Sequence, residues 1–151
     1  MKKPSLLLAI ISELLSIFAL LIPWVDVSFF KAGNPNALVY RIYVTPIIFW
    51  TSFLSLSLFV LTTSICILIL IGVIKKKDKY IFYSSVTMFL TILYFIAYVG
   101  TFLTRQVRQI AIHLANTLEC QISATIVVSL GPIVAILSSI LAATVIIIEY
   151  I

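Results

Sequence analysis

The sequence predicts an all-α integral membrane protein: a four-transmembrane-helix bundle with a short extracellular β-hairpin between helices 1 and 2. Composition is the first reason, because 63% of the 151 residues are hydrophobic and only 10% are charged. The mean hydropathy is +1.26, and a soluble domain could not bury so much apolar surface. The length suits a single membrane domain, residues 1–151.

Four apolar runs are long enough to cross a bilayer, which takes about 20 residues. We place these runs at residues 5–24, 46–74, 80–103 and 123–148. Each should be helical, because a helix satisfies its own backbone hydrogen bonds where no water is present. The first run lacks a small-x-small cleavage site, so we expect an uncleaved span rather than a signal peptide.

The outer segment 25–45 predicts the β-hairpin. The stretches "WVDVSFF" and "ALVYRIYV" are rich in β-branched and aromatic residues, and "GNPN" between them contains the residues of tight turns. A disordered loop is the alternative. Aromatic rings settle at the membrane interface, so four rings are expected there: Trp24, Tyr40, Tyr43 and Trp50.

The second outer segment, residues 104–122, is amphipathic. Its apolar residues recur at helical spacing: Val107, Ile110, Ala111, Leu114 and Leu118. Either the third helix continues past the membrane, or a separate helix lies at the interface.

Basic residues predict the orientation of the spans. Lys2, Lys3 and the run "KKKDK" at 75–79 fall on one side of the four spans. The other side holds fewer: Lys31, Arg41, Arg105 and Arg108. The denser side should be cytoplasmic, which places both termini inside the cell and the protein in the plasma membrane. The net charge of +5 is thus a topology signal, and no nucleic-acid partner is expected.

Two helices carry patterned small or polar residues. The fourth span has a helix-packing face of small residues four apart: Gly131, Ala135, Ser139 and Ala143. Such a face lets helix backbones approach closely, and a lined pathway is the alternative. The third span has a polar seam in steps of four and three: Tyr80, Ser84, Thr87, Thr91, Tyr94, Tyr98, Thr101, Arg105 and Arg108. This seam should face protein, and a wet conduit is the alternative.

Glu13 interrupts the first span within "AIISELLS", residues 9–16. Residues at the same depth on the helices form a predicted intramembrane polar layer, for which the main candidates are Glu13, Ser16, Thr62, Cys66 and Thr87. The same depth also includes Thr63, Ser84, Ser138 and Ser139, and Ser12 lies beside Glu13. No Lys, Arg or His shares this depth, so the carboxyl is expected to be protonated much of the time. Three interpretations remain open: a packing residue bonded to Ser and Thr, a contact with another subunit, or a proton- or cation-coupling site.

Two family resemblances bear on these interpretations. The stretch "AIISELLS" resembles the first-helix motif of small multidrug resistance transporters, which implies a coupling role for Glu13. The whole plan resembles claudin-like four-span proteins: a β-rich first outer loop after Trp24, a long third helix and both termini inside. That resemblance implies adhesion or a paracellular pore, although the Gly-Leu-Trp and paired-Cys signature of the family is absent.

The sequence does not indicate an enzyme. It has no metal-ligand cluster, no nucleophile with a base at motif spacing and no phosphate-binding loop, so no catalytic residue, metal or cofactor is predicted. Cys66 and Cys120 should lie at different depths and remain unpaired. We expect a structural or accessory subunit that packs in the lipid bilayer against copies of itself or other membrane subunits. A small proton-coupled transporter or ion-conducting oligomer using Glu13 is the alternative.

Overall fold

The fold comes from a computed structural model that describes residues 2–34, 36–48 and 53–151, with the side chains of residues 53 and 54 outside this description. The elements follow in chain order: α1 (Lys3–Leu21), β1 (Val25–Lys31), β2 (Leu38–Val44), α2 (Phe53–Lys75), α3 (Asp78–Tyr98), a π-helical turn (Val99–Leu103), α4 (Thr104–Leu118), β3 (Ile122–Val128) and α5 (Gly131–Tyr150).

Four helices in the described part of the chain are long and apolar enough to cross a membrane. One of them joins α3, the π-helical turn and α4 into a continuous helix of 41 residues, Asp78–Leu118. At 1.5 Å per residue this helix is about 60 Å long, about twice the hydrocarbon thickness of a bilayer. The third helix therefore continues past the expected membrane boundary at Leu103, and the separate interfacial helix is not formed.

The apolar helices form a four-membered ring. α1 packs against α5 and α2, and α3 packs against α2 and α5. Many large apolar side chains on the outside of this ring are exposed, such as Leu7, Leu14, Phe89 and Ile140. An apolar exterior of this kind suits a lipid environment and is unusual for a protein in water.

Small residues form the contact between α1 and α5. The buried positions of α1 are Ser5, Ala9, Ser12, Ser16 and Ala19. The buried positions of α5 are Gly131, Pro132, Ala135, Ser138, Ala142 and Val145. Both series advance in steps of four and three, the spacing of two helices that coil around each other.

This spacing corrects the predicted packing face of α5. Gly131 and Ala135 are buried as expected, but Ser139 and Ala143 are only half-buried. A stripe of residues exactly four apart drifts around a helix of 3.6 residues per turn, so the buried stripe moves to Ser138 and Ala142.

A three-stranded antiparallel sheet closes one end of the bundle, in the order β2-β1-β3. The predicted hairpin forms as β1 and β2, and Gly33 in its turn has a φ of 83°, which glycine adopts without steric cost. The third strand was not predicted. Residues 123–128 were assigned to the start of the fourth span and residue 122 to the outer segment, but residues 122–128 pair with β1 along its length, from Val25↔Val128 to Lys31↔Ile122.

Local sequence explains both boundary corrections. The stretch "ISATIVV" of β3 is β-branched and favours a strand, and α5 begins only at Gly131, with Pro132 in its first turn. The second span was expected to begin at Pro46, but Pro46 and Ile47 lie in a turn. Residues 49–52, which include the expected interface residue Trp50, lie outside the described residues.

The sheet has one apolar and one polar face. Val25, Val27 and Phe29 of β1 are buried and share the main hydrophobic core with Leu103 and Val107 of the third helix. The core also includes half-buried residues of α4: Ile110, Ala111 and Leu114. The apolar residues of the amphipathic segment 104–122 therefore pack against the buried face of the sheet. Leu118, near the end of this segment, is exposed.

Trp24 lies at the centre of the junction between sheet and bundle. It is fully buried, so its ring packs in the protein interior and not at the expected membrane interface. Its indole N–H donates to Ala19 O at 2.8 Å, and its ring meets Phe95 edge-on with 5.0 Å between centroids. Tyr40 and Tyr43, by contrast, are about half exposed at the sheet.

Candidate functional site: the polar layer of the bundle

Three buried serines connect α1 to α5 in the middle of the bundle. Ser12 Oγ donates to Ser138 O at 2.9 Å, and Ser138 Oγ lies 2.9 Å from Ser12 O. Ser16 Oγ lies 2.7 Å from Ser138 Oγ. The sequence placed Ser138 at the depth of the predicted layer and Ser12 beside Glu13, and the structure joins these two serines to each other.

Glu13 points away from this serine network, towards α2. Its carboxyl lies close enough to Cys66 of α2 to act electrostatically on the thiol. Glu13 Oε2 is buried and has no hydrogen-bond partner among the described residues. Thr63, one helical turn before Cys66, likewise has a buried Oγ1 without a partner. Glu13 Oε2 and Thr63 Oγ1 are thus two buried polar atoms in this part of the bundle that lack a hydrogen-bond partner.

No positive charge compensates Glu13 in the described part of the chain. The single ion pair recorded there joins Arg41 to Asp26 at the sheet. Burying an unpaired carboxylate costs so much free energy that the neutral acid is favoured. A neutral carboxyl can donate one hydrogen bond and accept others, so Glu13 has unused capacity in both directions. Unsatisfied buried polar groups are rare in native proteins, so Glu13 Oε2 is a candidate functional atom.

The other predicted members of the layer bond elsewhere. Ser16 belongs to the serine network, Thr62 donates to Leu58 O of its own helix, and Thr87 donates to Tyr83 O at 2.8 Å. The structure therefore brings Glu13 together with Cys66 but directs Ser16, Thr62 and Thr87 to other acceptors. The expected hydrogen bonds from these hydroxyls to Glu13 Oε2 are not formed.

The seam of α3 is half polar. Its buried residues are Ile81, Ser84, Met88, Thr91, Phe95 and Tyr98. Ser84 and Thr91 donate to carbonyls of their own helix, Ile81 O at 2.6 Å and Thr87 O at 2.7 Å. Apolar side chains separate these hydroxyls, so the seam faces protein without forming a continuous polar line. Arg105 and Arg108, the last members of the predicted seam, are exposed.

Glu149 connects the two ends of the chain, and no sequence signal indicated this. The backbone N–H of Lys2 donates to Glu149 Oε1 at 2.6 Å, and Ser5 Oγ donates to the same oxygen. Lys2 Nζ also donates to Ile148 O at 2.9 Å. The carboxylate therefore satisfies one free N–H group and a hydroxyl at the start of α1, where helix ends favour negative charge.

The polar face of the sheet carries the ion pair between Asp26 and Arg41. Arg41 Nε lies 3.0 Å from Asp26 Oδ1, and its guanidinium lies 4.9 Å from the ring centroid of Tyr43. The hydrogen bond from Arg41 lowers the pKa of Asp26 below its usual value, against a smaller opposing effect of burial. Asp26 had no partner visible in the sequence, because the pairing depends on strand register.

No cluster of three or more His, Cys, Asp and Glu side chains suited to a metal occurs within the described ranges. Cys66 and Cys120 are free thiols. Comparison with protein-family models, with curated proteins and with solved structures finds no match to this chain.

Proposed function

We propose that this chain is a multi-pass plasma-membrane protein that acts as a structural or accessory subunit, packing against itself or a larger membrane complex. One observation carries the proposal: the edge strand β2 presents large exposed apolar side chains on a sheet that the third helix supports. Leu38, Tyr40 and Tyr43 are 50%, 53% and 47% exposed. An unpaired edge strand with such residues is suited to bind another chain.

The close packing of side chains between the helices supports the same proposal. The buried positions of α1, α3 and α5 are occupied by side chains that pack on the neighbouring helices. A bundle packed in this way offers its outer surfaces to partners. Small residues and interhelical hydroxyls are also the usual means by which membrane helices associate.

Charge supports an orientation with both termini in the cytoplasm. Lys2, Lys3 and the lysines of the α2–α3 turn lie at the end of the bundle opposite the sheet. The positive-inside rule then places the sheet outside the cell. Protease added to intact cells should cut the hairpin turn near Asn34, and cleavage only after the cells are opened would reverse this orientation.

Photo-crosslinking in native membranes tests the proposed surface. A benzophenone amino acid at Tyr43 of β2 should give discrete crosslinked products, because this side chain projects from the exposed edge strand. The matched control is the same probe at Ile112 of α4, which is 55% exposed but lies away from β2. Equal crosslinking at the two positions, or no crosslinking at either, would show that β2 is not the contact surface.

The second candidate function is a small proton-coupled transporter or ion-conducting oligomer that uses Glu13. The unpartnered Oε2 of Glu13 beside α2 favours it, because intramembrane acids often mark transport pathways. This function requires Glu13→Gln to abolish flux in proteoliposomes while assembly is retained. It also requires a carbodiimide to block flux by modifying the carboxyl, and unchanged flux in either experiment would exclude it.

A further inference from the structure

The α2–α3 turn holds its lysines in an ordered arrangement. α2 ends in a Schellman motif: Lys77 N donates to Gly72 O at 3.0 Å, and Lys76 N donates to Val73 O at 3.3 Å. Lys76 adopts the left-handed conformation, with a φ of 52°. The exposed lysines of this turn are Lys75, Lys76, Lys77 and Lys79. The Nζ atoms of Lys75 and Lys79 lie 6.0 and 5.2 Å from the ring centroid of Tyr80, so both ammonium groups lie against the same aromatic side chain.

No carboxylate in the described part of the chain forms an ion pair with these lysines. Asp78 accepts a hydrogen bond from the backbone N–H of Lys79 at 3.0 Å, and Glu149 is occupied by Lys2 N and Ser5 Oγ. The only ion pair in the described part of the structure lies at the opposite end, between Arg41 and Asp26. Clustered ammonium groups without counter-charge attract an anion from outside the chain.

An apolar groove opens directly beside this charge. It lies between α3 and α5 and is lined by Asp78, Lys79, Phe82, Tyr83, Ile146 and Tyr150. Phe82 and Tyr83 are each about half exposed, and Tyr150 is 80% exposed. Lys79 lies at the charged end of the groove, and aromatic and aliphatic side chains form its walls. The Asp78 carboxylate at the same end disfavours an anion, but it is outnumbered by the neighbouring lysines.

We propose that this groove binds an anionic phospholipid, with the headgroup phosphate at Lys79 and Lys75 and the first part of an acyl chain along Phe82, Tyr83 and Ile146. The combination of an ammonium cluster and an adjoining apolar wall matches the two parts of a lipid, whereas a soluble anion would use only the charge. Lysine clusters next to a membrane helix gain about 1 kcal/mol per residue from anionic lipid, or about fivefold in affinity. The proposal depends on the membrane location proposed above and is independent of the accessory role.

Native mass spectrometry of the full-length protein in neutral detergent tests the site. Phosphatidylglycerol and phosphatidylcholine with the same acyl chains are the probes. The wild-type protein should bind phosphatidylglycerol about tenfold more tightly, and the double variant K75Q/K79Q should lose most of this preference. The matched control R105Q/R108Q removes the same charge at the sheet end and should keep the preference.

A second variant and a soluble competitor separate the lipid from other ligands. Tyr83→Ala, at an exposed position of the groove wall, should weaken the binding of both lipids and leave their ratio unchanged. Inorganic phosphate at millimolar concentration should not displace phosphatidylglycerol, and displacement would make the site a simple anion site. Equal binding of the two lipids by the wild type, or a preference that survives K75Q/K79Q, would overturn the proposal. A chain recovered from the soluble fraction of cells would instead contradict the membrane location.

Discussion

Gly131 packs directly against the indole ring of Trp24, so position 131 has no room for a side chain. A Cβ atom added at Gly131 would overlap the indole ring of Trp24 and lie 2.8 Å from Pro23 O. Gly131 N also donates to Pro23 O at 3.0 Å, and Ser129 N donates to Trp24 O at the same distance. This contact joins the end of α1, the sheet and the start of α5, so it determines how the sheet sits on the bundle.

Gly131→Ala should therefore destabilise the fold. The added methyl group must displace a fully buried ring, and overpacking of this kind costs about 1–3 kcal/mol. Thermal unfolding in detergent, followed by circular dichroism, measures the effect as a lower Tm. Gly100→Ala is the control, because nothing lies within 4 Å of the added Cβ atom there. The same drop in Tm for both variants would mean that the close contact with Trp24 has no special cost.

Ser138→Ala should weaken the α1–α5 contact. The change removes the hydroxyl that bonds to Ser12 O and Ser16 Oγ in the interior, and interhelical hydrogen bonds in membrane proteins contribute about 0.6–2 kcal/mol. Unfolding by a denaturing detergent measures the loss of stability. The matched control is Ser64→Ala, whose exposed hydroxyl bonds only to Val60 O of its own helix. A loss as large for Ser64→Ala would show that the serine network adds nothing particular to the α1–α5 contact.

The ion pair between Asp26 and Arg41 should make stability depend on pH. Because the hydrogen bond from Arg41 lowers the pKa of Asp26 in the folded state, the pair stabilises the protein above the unfolded pKa of about 4. This contribution is lost as the pH falls through the lower folded pKa. Arg41 is exposed and Asp26 is partly buried, so the effect of the pair should be small and should decrease with added salt.

Comparing the Tm of wild type and Asp26→Asn between pH 7 and pH 3 measures this contribution. The difference should be largest at neutral pH and should decrease towards pH 3, as Asp26 becomes protonated. Arg41→Gln should reproduce the pattern, because it removes the other partner of the same pair. A difference in Tm that stays constant over this pH range would contradict the assigned role of the pair.

Lys76→Gly should stabilise the α2–α3 turn. Lys76 has a φ of 52°, a conformation that costs a non-glycine residue about 1 kcal/mol and costs glycine almost nothing. The expected gain in the free energy of unfolding is therefore about 1 kcal/mol. Lys76→Ala removes the same charge but keeps the steric cost, so it serves as the control. If alanine stabilised the protein as much as glycine, charge repulsion and not backbone conformation would be responsible.

Local sequence patterns predicted most of the fold. The length of each apolar run indicated a helical span, and the β-branched stretches on either side of a turn indicated the hairpin. The third strand escaped prediction because Ile122–Val128 joins an apolar helix without a polar break, and a short apolar run does not distinguish a strand from a buried helix. The Gly-Pro pair at 131–132 was the one local sign that the helix begins later.

The position of each residue along its helix predicted only some of the contacts in the polar layer. Residues at one depth on neighbouring helices can meet, and Glu13 does lie beside Cys66. Which of these residues make contact also depends on the direction in which each side chain leaves its helix. Consecutive residues are about 100° apart around the helix axis, so Ser12 faces α5 while Glu13 faces α2. The contact between Glu149 and Lys2 joins the two ends of the chain, and no local pattern in the sequence indicates it.

The mass of the complex that the tagged chain forms in its own membranes tests the accessory role most directly. Native mass spectrometry after gentle extraction should show the chain in a fixed ratio with further copies or with other membrane polypeptides, and Glu13→Gln should leave any flux unchanged. A protein that is released as a single chain would contradict the accessory role. An ion or proton flux in proteoliposomes that disappears in Glu13→Gln would contradict it as well, whatever the mass, and would establish transport.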